Sequence, residues 1–201
     1  SNPEDKRIFD DLSAEQQAVL KDAPAETIVV DVPGKSERTM ALMAHYDSST
    51  VEADKNGHQH ITDGTSLGAA DDGYGVAAIV ETLRAIKAEG RQPENSLKIV
   101  ITDGEEIGLV GARNEMRHHR ADYKNVDLVL NLEARGTSGP ALMFETSSNN
   151  SAVAGYFLSH VKQPVAGSLL PSLYARMPNT TDMAAFIPEG FTVLNLSLIH
   201  I

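Results

Sequence analysis

A chain of 201 residues, 41% of them hydrophobic, has room for one sizeable core, and a single domain over residues 1–201 is the expectation. Its 28 acidic residues against 17 basic ones give a formal charge of -11, which repels phosphate backbones and anionic membrane surfaces and argues against nucleic acid as a partner. Cysteine is absent, which removes disulfides and thiolate ligands and leaves any metal to nitrogen and oxygen donors.

The chain opens on Ser1-Asn2 rather than Met, a processed or tag-derived start that leaves room for a removed signal or anchor. No apolar run approaches the length of a bilayer span, and no basic-then-apolar leader is present. Residues 13–21 carry Ser13 with Gln16 three positions on, the capping-box pattern, and predict a short helix. Two strand-like runs follow, 27–32 and 39–44. They are separated by Pro33-Gly34-Lys35-Ser36 and are expected to pair as a hairpin. From Tyr46 to Gly68 the composition turns polar, with Asn56-Gly57 and Asp63-Gly64 and no apolar period, which predicts a long surface loop.

After Asp72 the apolar residues Val76, Ile79, Val80, Leu83 and Ile86 keep helical spacing, and Gly90 stands where a helix would stop. Residues 97–102 are a short β-branched run and 111–119 read as a helix. Residues 126–132 are almost continuously apolar, as in a strand buried on both faces. A strand at 141–145, a helix at 151–161 and a final strand at 191–198 continue the alternation. The order predicts an α/β fold, a three-layer α/β/α sandwich on a mixed, largely parallel sheet, with ligand sites at the carboxyl ends of its strands.

The polar residues gather at those ends. His45 and Asp47 follow one strand, Glu105 and Glu106 follow another, and Glu133 ends a third. Asp71 and Asp72 precede the long helix, where a carboxylate gains from the positive end of the helix dipole. Of the two, Asp72 suits the helix cap and Asp71 a ligand role. Glu133 is the most telling, because a carboxylate inside Val126-Asp127-Leu128-Val129-Leu130-Asn131-Leu132-Glu133 is expensive to bury without a cation or donor. His58, His60, His118, His119 and His160 have no motif around them and read as surface residues. Asp182 and Tyr174 are further candidates for lining a substrate pocket.

In sequence these residues stand as Ala44-His45-Tyr46-Asp47-Ser48, Gly68-Ala69-Ala70-Asp71-Asp72-Gly73 and Thr102-Asp103-Gly104-Glu105-Glu106-Ile107-Gly108. In order and spacing they resemble the M28 zinc aminopeptidases, over about residues 41–196. Asn131-Leu132-Glu133-Ala134-Arg135-Gly136 is similar to the branch that includes endoplasmic-reticulum and vacuolar metallopeptidases, with Glu at a ligand position where secreted relatives often use Asp.

The resemblance implies two zinc ions bridged by Asp71. His45 and Glu133 complete one and Glu106 belongs to the other. Glu105 is then the general base that takes a proton from the attacking water. Asp47 accepts a hydrogen bond from the second ring nitrogen of His45, fixing its tautomer. The implied substrates are peptides with a free N-terminus, and the implied setting is extracellular or membrane-associated, with any membrane-anchoring region outside this chain. One further His is needed for the zinc that Glu106 holds; it is expected beyond Ile201, because His200 lies too close to the last strand. The chain therefore reads as cut short at its C-terminus, with the second zinc weak or absent and activity in doubt.

Two alternatives stand beside the aminopeptidase reading. One is a glutaminyl-cyclase-like or carboxypeptidase-type relative on a similar scaffold, against which a stoichiometry of two zincs would count. The other is a catalytically silent metal-binding or interaction domain, against which an intact Glu105 argues.

Overall fold

The computed structural model describes residues 24–49, 51–53, 59–61, 66–148, 150–167 and 180–198. The helix expected at 13–21, His58, Tyr174 and His200 lie outside the described residues. The strands are β1 (Ile28–Val32), β2 (Ser36–His45), β3 (Val51–Ala53), β4 (Gln59–Ile61), β5 (Asn95–Thr102), β6 (Val126–Ala134), β7 (Ala141–Thr146), β8 (Val165–Ala166) and β9 (Val193–Leu198). Between them run α1 (Gly73–Glu89), α2 (Val110–His118), α3 (Ser151–His160) and α4 (Met183–Phe186), with 3-10 turns at Arg120–Tyr123 and Ile187–Glu189.

Seven strands form one mixed sheet in the order β1-β5-β2-β6-β9-β7-β8. Its centre, β5-β2-β6-β9, is parallel throughout, while β1 and β7 run antiparallel to their inner neighbours. The alternation of strand and helix therefore yields the α/β architecture expected of it.

The expected hairpin between the first two strands does not form. β5 lies between them, pairing antiparallel with β1 and parallel with β2. Burial explains the choice. Residues 97–102 of β5 are buried and need a neighbour on each side, whereas β1 leaves Ile28 and Val30 52% and 44% exposed and suits an edge. The Pro33-Gly34-Lys35 link is not a hairpin turn but passes across the amino end of β5, with Lys35 N–H donating to Pro93 C=O and Ser36 N–H to Glu94 C=O, each at 2.9 Å. Gly34 is required at that crossing, since a Cβ there would overlap the Asn95 backbone.

The region 46–68 likewise departs from a plain loop. β3 and β4 pair antiparallel, with Val51 opposite Ile61. The strand β8 and the short α4 were not anticipated, because elements of 2 and 4 residues carry too little periodicity to read.

Alternation along the central strands divides the core into two layers. Ala41, Met43, Val100, Val129 and Val193 face one side, where Ala112 and Met116 of α2, Met183 and Phe186 of α4, and Tyr123 and Phe191 pack on them. Leu42, Ala44, Ile99, Ile101 and Leu132 face the other, against Ile79, Val76, Ala78 and Leu83 of α1. This is the α/β/α sandwich, and it fixes the strand register by burying both faces.

Phe186 is fully buried and meets Tyr123 and Phe191 edge-on, with ring centroids 5.6 and 5.7 Å apart. Phe186→Ala is expected to lower the unfolding free energy by about 3–5 kcal/mol, measured by urea denaturation at a matched slope. Val80→Ala, at a helix position 55% exposed, should stay within about 0.5 kcal/mol of the parent.

Candidate metal centre

His45 is the last residue of β2 and stands in register with Thr102, the last of β5. Two residues before it, Met43 pairs with Asn131 of β6, so continuing that register brings Glu133 level with His45 on the same face of the sheet. Asp71 comes from the turn that precedes α1 and meets the same imidazole nitrogen as Glu133. The result is a cluster in which His45 Nε2 lies 3.0 Å from Asp71 Oδ1 and 3.9 Å from Glu133 Oε1. One ligand atom from each of the three residues falls within 4.8 Å of the other two, a fit for a single cation.

Burial sets the electrostatics. His45 and Glu133 are 2% and 4% exposed, while Asp71 is half exposed and opens the cluster to solvent. Burial disfavours a charged imidazole, yet hydrogen bonds to Asp47, Asp71 and Glu133 outweigh it and hold His45 strongly on the protonated side. Burial raises Glu133 in turn, with the imidazole opposing. In the metal-free protein the cluster thus keeps protons that a divalent cation would displace.

The remaining expected residues surround these three. His45 Nδ1 is 3.0 Å from the Asp47 backbone carbonyl and 3.4 Å from its carboxylate, so the main chain is the nearer acceptor for that ring nitrogen. The Asp47 carboxylate has another occupation, accepting from the Glu105 and Glu106 N–H groups at 3.1 Å each. Although burial works against it, these bonds and the imidazole hold Asp47 below the usual carboxylate range. They also fix the backbone of the loop after β5, where Gly104 adopts a φ of +69°.

Glu105 is half-buried and held well above its ordinary value by burial, then by the charges of Glu133 and Asp182. Glu106 is exposed, accepts from Ser49 N–H at 3.2 Å, and is raised by burial and by the charge of Asp71.

Asp72 serves two elements at once. Its Oδ1 accepts from Gly75 N–H at 3.0 Å and caps α1, and its Oδ2 accepts from His45 N–H at 3.2 Å. Burial and the nearby Glu133 push its carboxyl up to about 8. Gly75 makes the cap possible, because a Cβ there would lie 2.5 Å from the Asp72 carboxylate oxygens.

Asp182, expected to line a pocket, is instead 1% exposed beneath the site, hydrogen-bonded to Thr102 and pushed up to about 7 chiefly by burial. His118, His119 and His160 stay on helix ends away from the cluster. Sequence reasoning passed over Thr102, Asn131 and Asn195, all buried here. The Asn131 amide donates to Asn195 Oδ1 at 3.2 Å, tying β6 to β9. Asn131 stood in plain view as a polar residue in an apolar run; nothing marked Thr102.

Comparisons with known proteins bear on the family and the fold. Residues 27–200 match peptidase family M28. The vacuolar membrane protease of Lodderomyces elongisporus is 29% identical over 177 residues, which cover 86% of this chain and 16% of that protein. The chain thus spans about a sixth of the length of the curated relatives it matches. Among solved structures, an Acidobacteriales bacterium glutaminyl cyclase superposes with a TM-score of 0.60 at 19% identity, covering 86% of this chain and 58% of that one. The LapA aminopeptidase of Legionella pneumophila gives the same TM-score at 16% identity, covering 97% and 52%. These two likenesses concern the fold.

Two outcomes follow from the crowding of acids. Raised carboxyls such as Asp72 keep protons that the unfolded chain releases near pH 4, so their contribution is present below about pH 4 and is lost as pH rises through the folded values. Raised His45 acts in the same direction above about pH 6.5, and lowered Asp47 opposes only toward about pH 4 and below. The melting temperature of chelator-treated protein should therefore fall between about pH 5 and about pH 8, and added zinc should flatten the slope. Gly75→Ala should lower both the metal-free melting temperature and zinc affinity by forcing Asp72 off His45, read by thermal melts and chelator competition.

Proposed function

The chain belongs to peptidase family M28, and on that premise we propose that it is the catalytic core of a zinc-dependent aminopeptidase. In this reading His45, Asp71 and Glu133 hold one zinc, Asp71 bridges to a second that Glu106 helps to bind, and Glu105 is the general base. The observation that carries it is the meeting of His45 Nε2, Asp71 Oδ1 and Glu133 Oε1 at one point, with Glu105 beside it. A bound zinc supplies Lewis acidity toward the scissile carbonyl and lowers the pKa of water.

The chain's own residues do the rest. Glu105, whose carboxyl is raised by burial and by the charge of Glu133, has the added proton affinity a general base uses to take a proton and return it to the leaving amine. Its backbone is held by Asp47, so that the base and Glu106 keep fixed directions from adjacent positions in one loop. Asp47, through its main-chain carbonyl, orients the His45 ring. Asp71 suits a bridge because its Oδ1 reaches His45 while its charge acts on Glu106. The excess of carboxylates around the centre gives a free N-terminal ammonium a place to bind, which favours removal of single residues from peptide N-termini.

The relatives' name supports proteolysis over cyclisation, since the glutaminyl cyclase and the aminopeptidase fit the fold equally well. That name also supports a membrane-associated setting. Among the described residues no helix is long and apolar enough to cross a membrane, so they add no spanning helix to it.

Hydrolysis of an aminoacyl p-nitroanilide by the full protein, with zinc and with chelator, tests this function. Glu105→Gln should reduce kcat by about 10²- to 10⁴-fold while leaving zinc content unchanged. His45→Ala should reduce zinc content itself. Turnover that survives the chelator, or an unaffected Glu105 variant, would discard the mechanism.

A further inference from the structure

The chain has a second concentration of buried charge, apart from the metal cluster. It lies in a cleft of about 310 Å³ on the α2 side of the sheet, between the edge pair β1-β5 and the end of α2 with the 3-10 turn that follows. Lys98 forms part of its wall. That residue stands four positions before Thr102 in β5, so at about 3.3 Å per residue the cleft is about 13 Å back along the sheet from the level of His45. The two places share no residue.

The charges in the cleft do not balance. Lys98 is buried and places its ammonium 2.6 Å from Oδ1 of Asp31, its register partner on β1, and 5.1 Å from the centre of the Tyr123 ring. That pair is neutral by itself. Asp122, at the mouth, has His119 Nδ1 at 3.8 Å. Glu115 is the unmatched group. It is 8% exposed, yet its one side-chain hydrogen bond among the described residues comes from the Tyr123 hydroxyl to Oε2, at 2.9 Å. Its Oε1 has no donor among those residues and is not sealed inside the protein, so it opens on the cleft that Glu115 lines. A carboxylate withdrawn this far from water calls for a cation. With His119 neutral, three carboxylates against one ammonium leave the cleft two negative charges in excess.

The form of that excess selects the guest. A divalent metal ion needs ligand atoms that converge, and among the described residues the cluster that does so is His45, Asp71 and Glu133. An anion would meet carboxylates. An alkylammonium meets what is there, because its N–H groups donate to carboxylates while Val29, exposed on β1, gives its methylene groups an apolar surface. We propose that this cleft binds a small organic cation of the diamine class, with one ammonium hydrogen-bonded to Glu115 Oε1. The volume is at the lower end of the range for ligand pockets and suits a molecule of that size.

Isothermal titration of putrescine into the full chain tests it, at about 0.15 M salt, where loose attraction to surface charge is screened. Saturable uptake is expected, with a rise in melting temperature by mass action. The matching diol, of equal length and uncharged, should not bind. Glu115→Gln keeps an acceptor for Tyr123 and removes the charge; its dissociation constant should be about 10- to 100-fold higher. Should that variant not fold, Val29→Lys, at an exposed edge position, puts a tethered ammonium in the cleft and should abolish uptake. Asp71→Asn separates the cleft from the metal centre, and should bind putrescine as the parent does. The proposal is overturned by the absence of saturable binding below about 10 mM, or by equal binding of the diol. Unchanged affinity in Glu115→Gln, or uptake retained by Val29→Lys, overturns it too. So does loss of binding in Asp71→Asn alone, since the diamine would then occupy the metal centre.

Discussion

The structure turns on the crowding of like charge at one end of a parallel sheet. Three neighbouring strands and one helix start deliver His45, Asp71, Glu105, Glu106 and Glu133 to the same edge, with Asp72 and Asp182 buried beside them. Carboxylates so close, and so poorly hydrated, cannot all ionise without a cation. The pattern of raised carboxyls is the expression of that conflict, which a divalent cation would relieve.

What allows the conflict to persist is the core beneath it. Residues of β2, β5, β6 and β9 alternate between two apolar layers, and a slip of one position in any of them would exchange the two layers. The register is therefore not free to relax, and the polar residues at the strand tips go where it sends them. Met43 opposite Asn131 and His45 opposite Thr102 are consequences of apolar packing several residues earlier in each strand.

At the tips themselves, where regular pairing ends, side chains take over the work of the ladder. Asp72 caps α1 and holds His45; Asp47 holds the Glu105-Glu106 backbone while its carbonyl meets the imidazole. Each joins two segments distant in sequence, so irregular loops acquire fixed geometry without secondary structure of their own. Such sharing leaves little slack, as the contact between Gly75 and the Asp72 carboxylate illustrates. Preorganised ligands of this kind are what a metal centre needs if binding is not to be spent on ordering loops.

The amino-acid sequence by itself determined the α/β class, the long helix with its Asp72 cap and Gly90 stop, and the candidate residues His45, Asp47, Asp71, Glu105, Glu106 and Glu133. These are legible because helix periodicity, caps and polar residues interrupting apolar runs are local signals. Pairing of strands is not local. The hairpin that Pro33-Gly34 suggested was lost to β5, because the choice between two possible neighbours depends on which strand must be buried on both sides. Thr102 and Asp182 were decided by tertiary structure in the same way. A threonine is ordinary in a strand and an aspartate ordinary before a helix; only folding brought into hydrogen-bonding contact two groups that stand 80 residues apart in the chain.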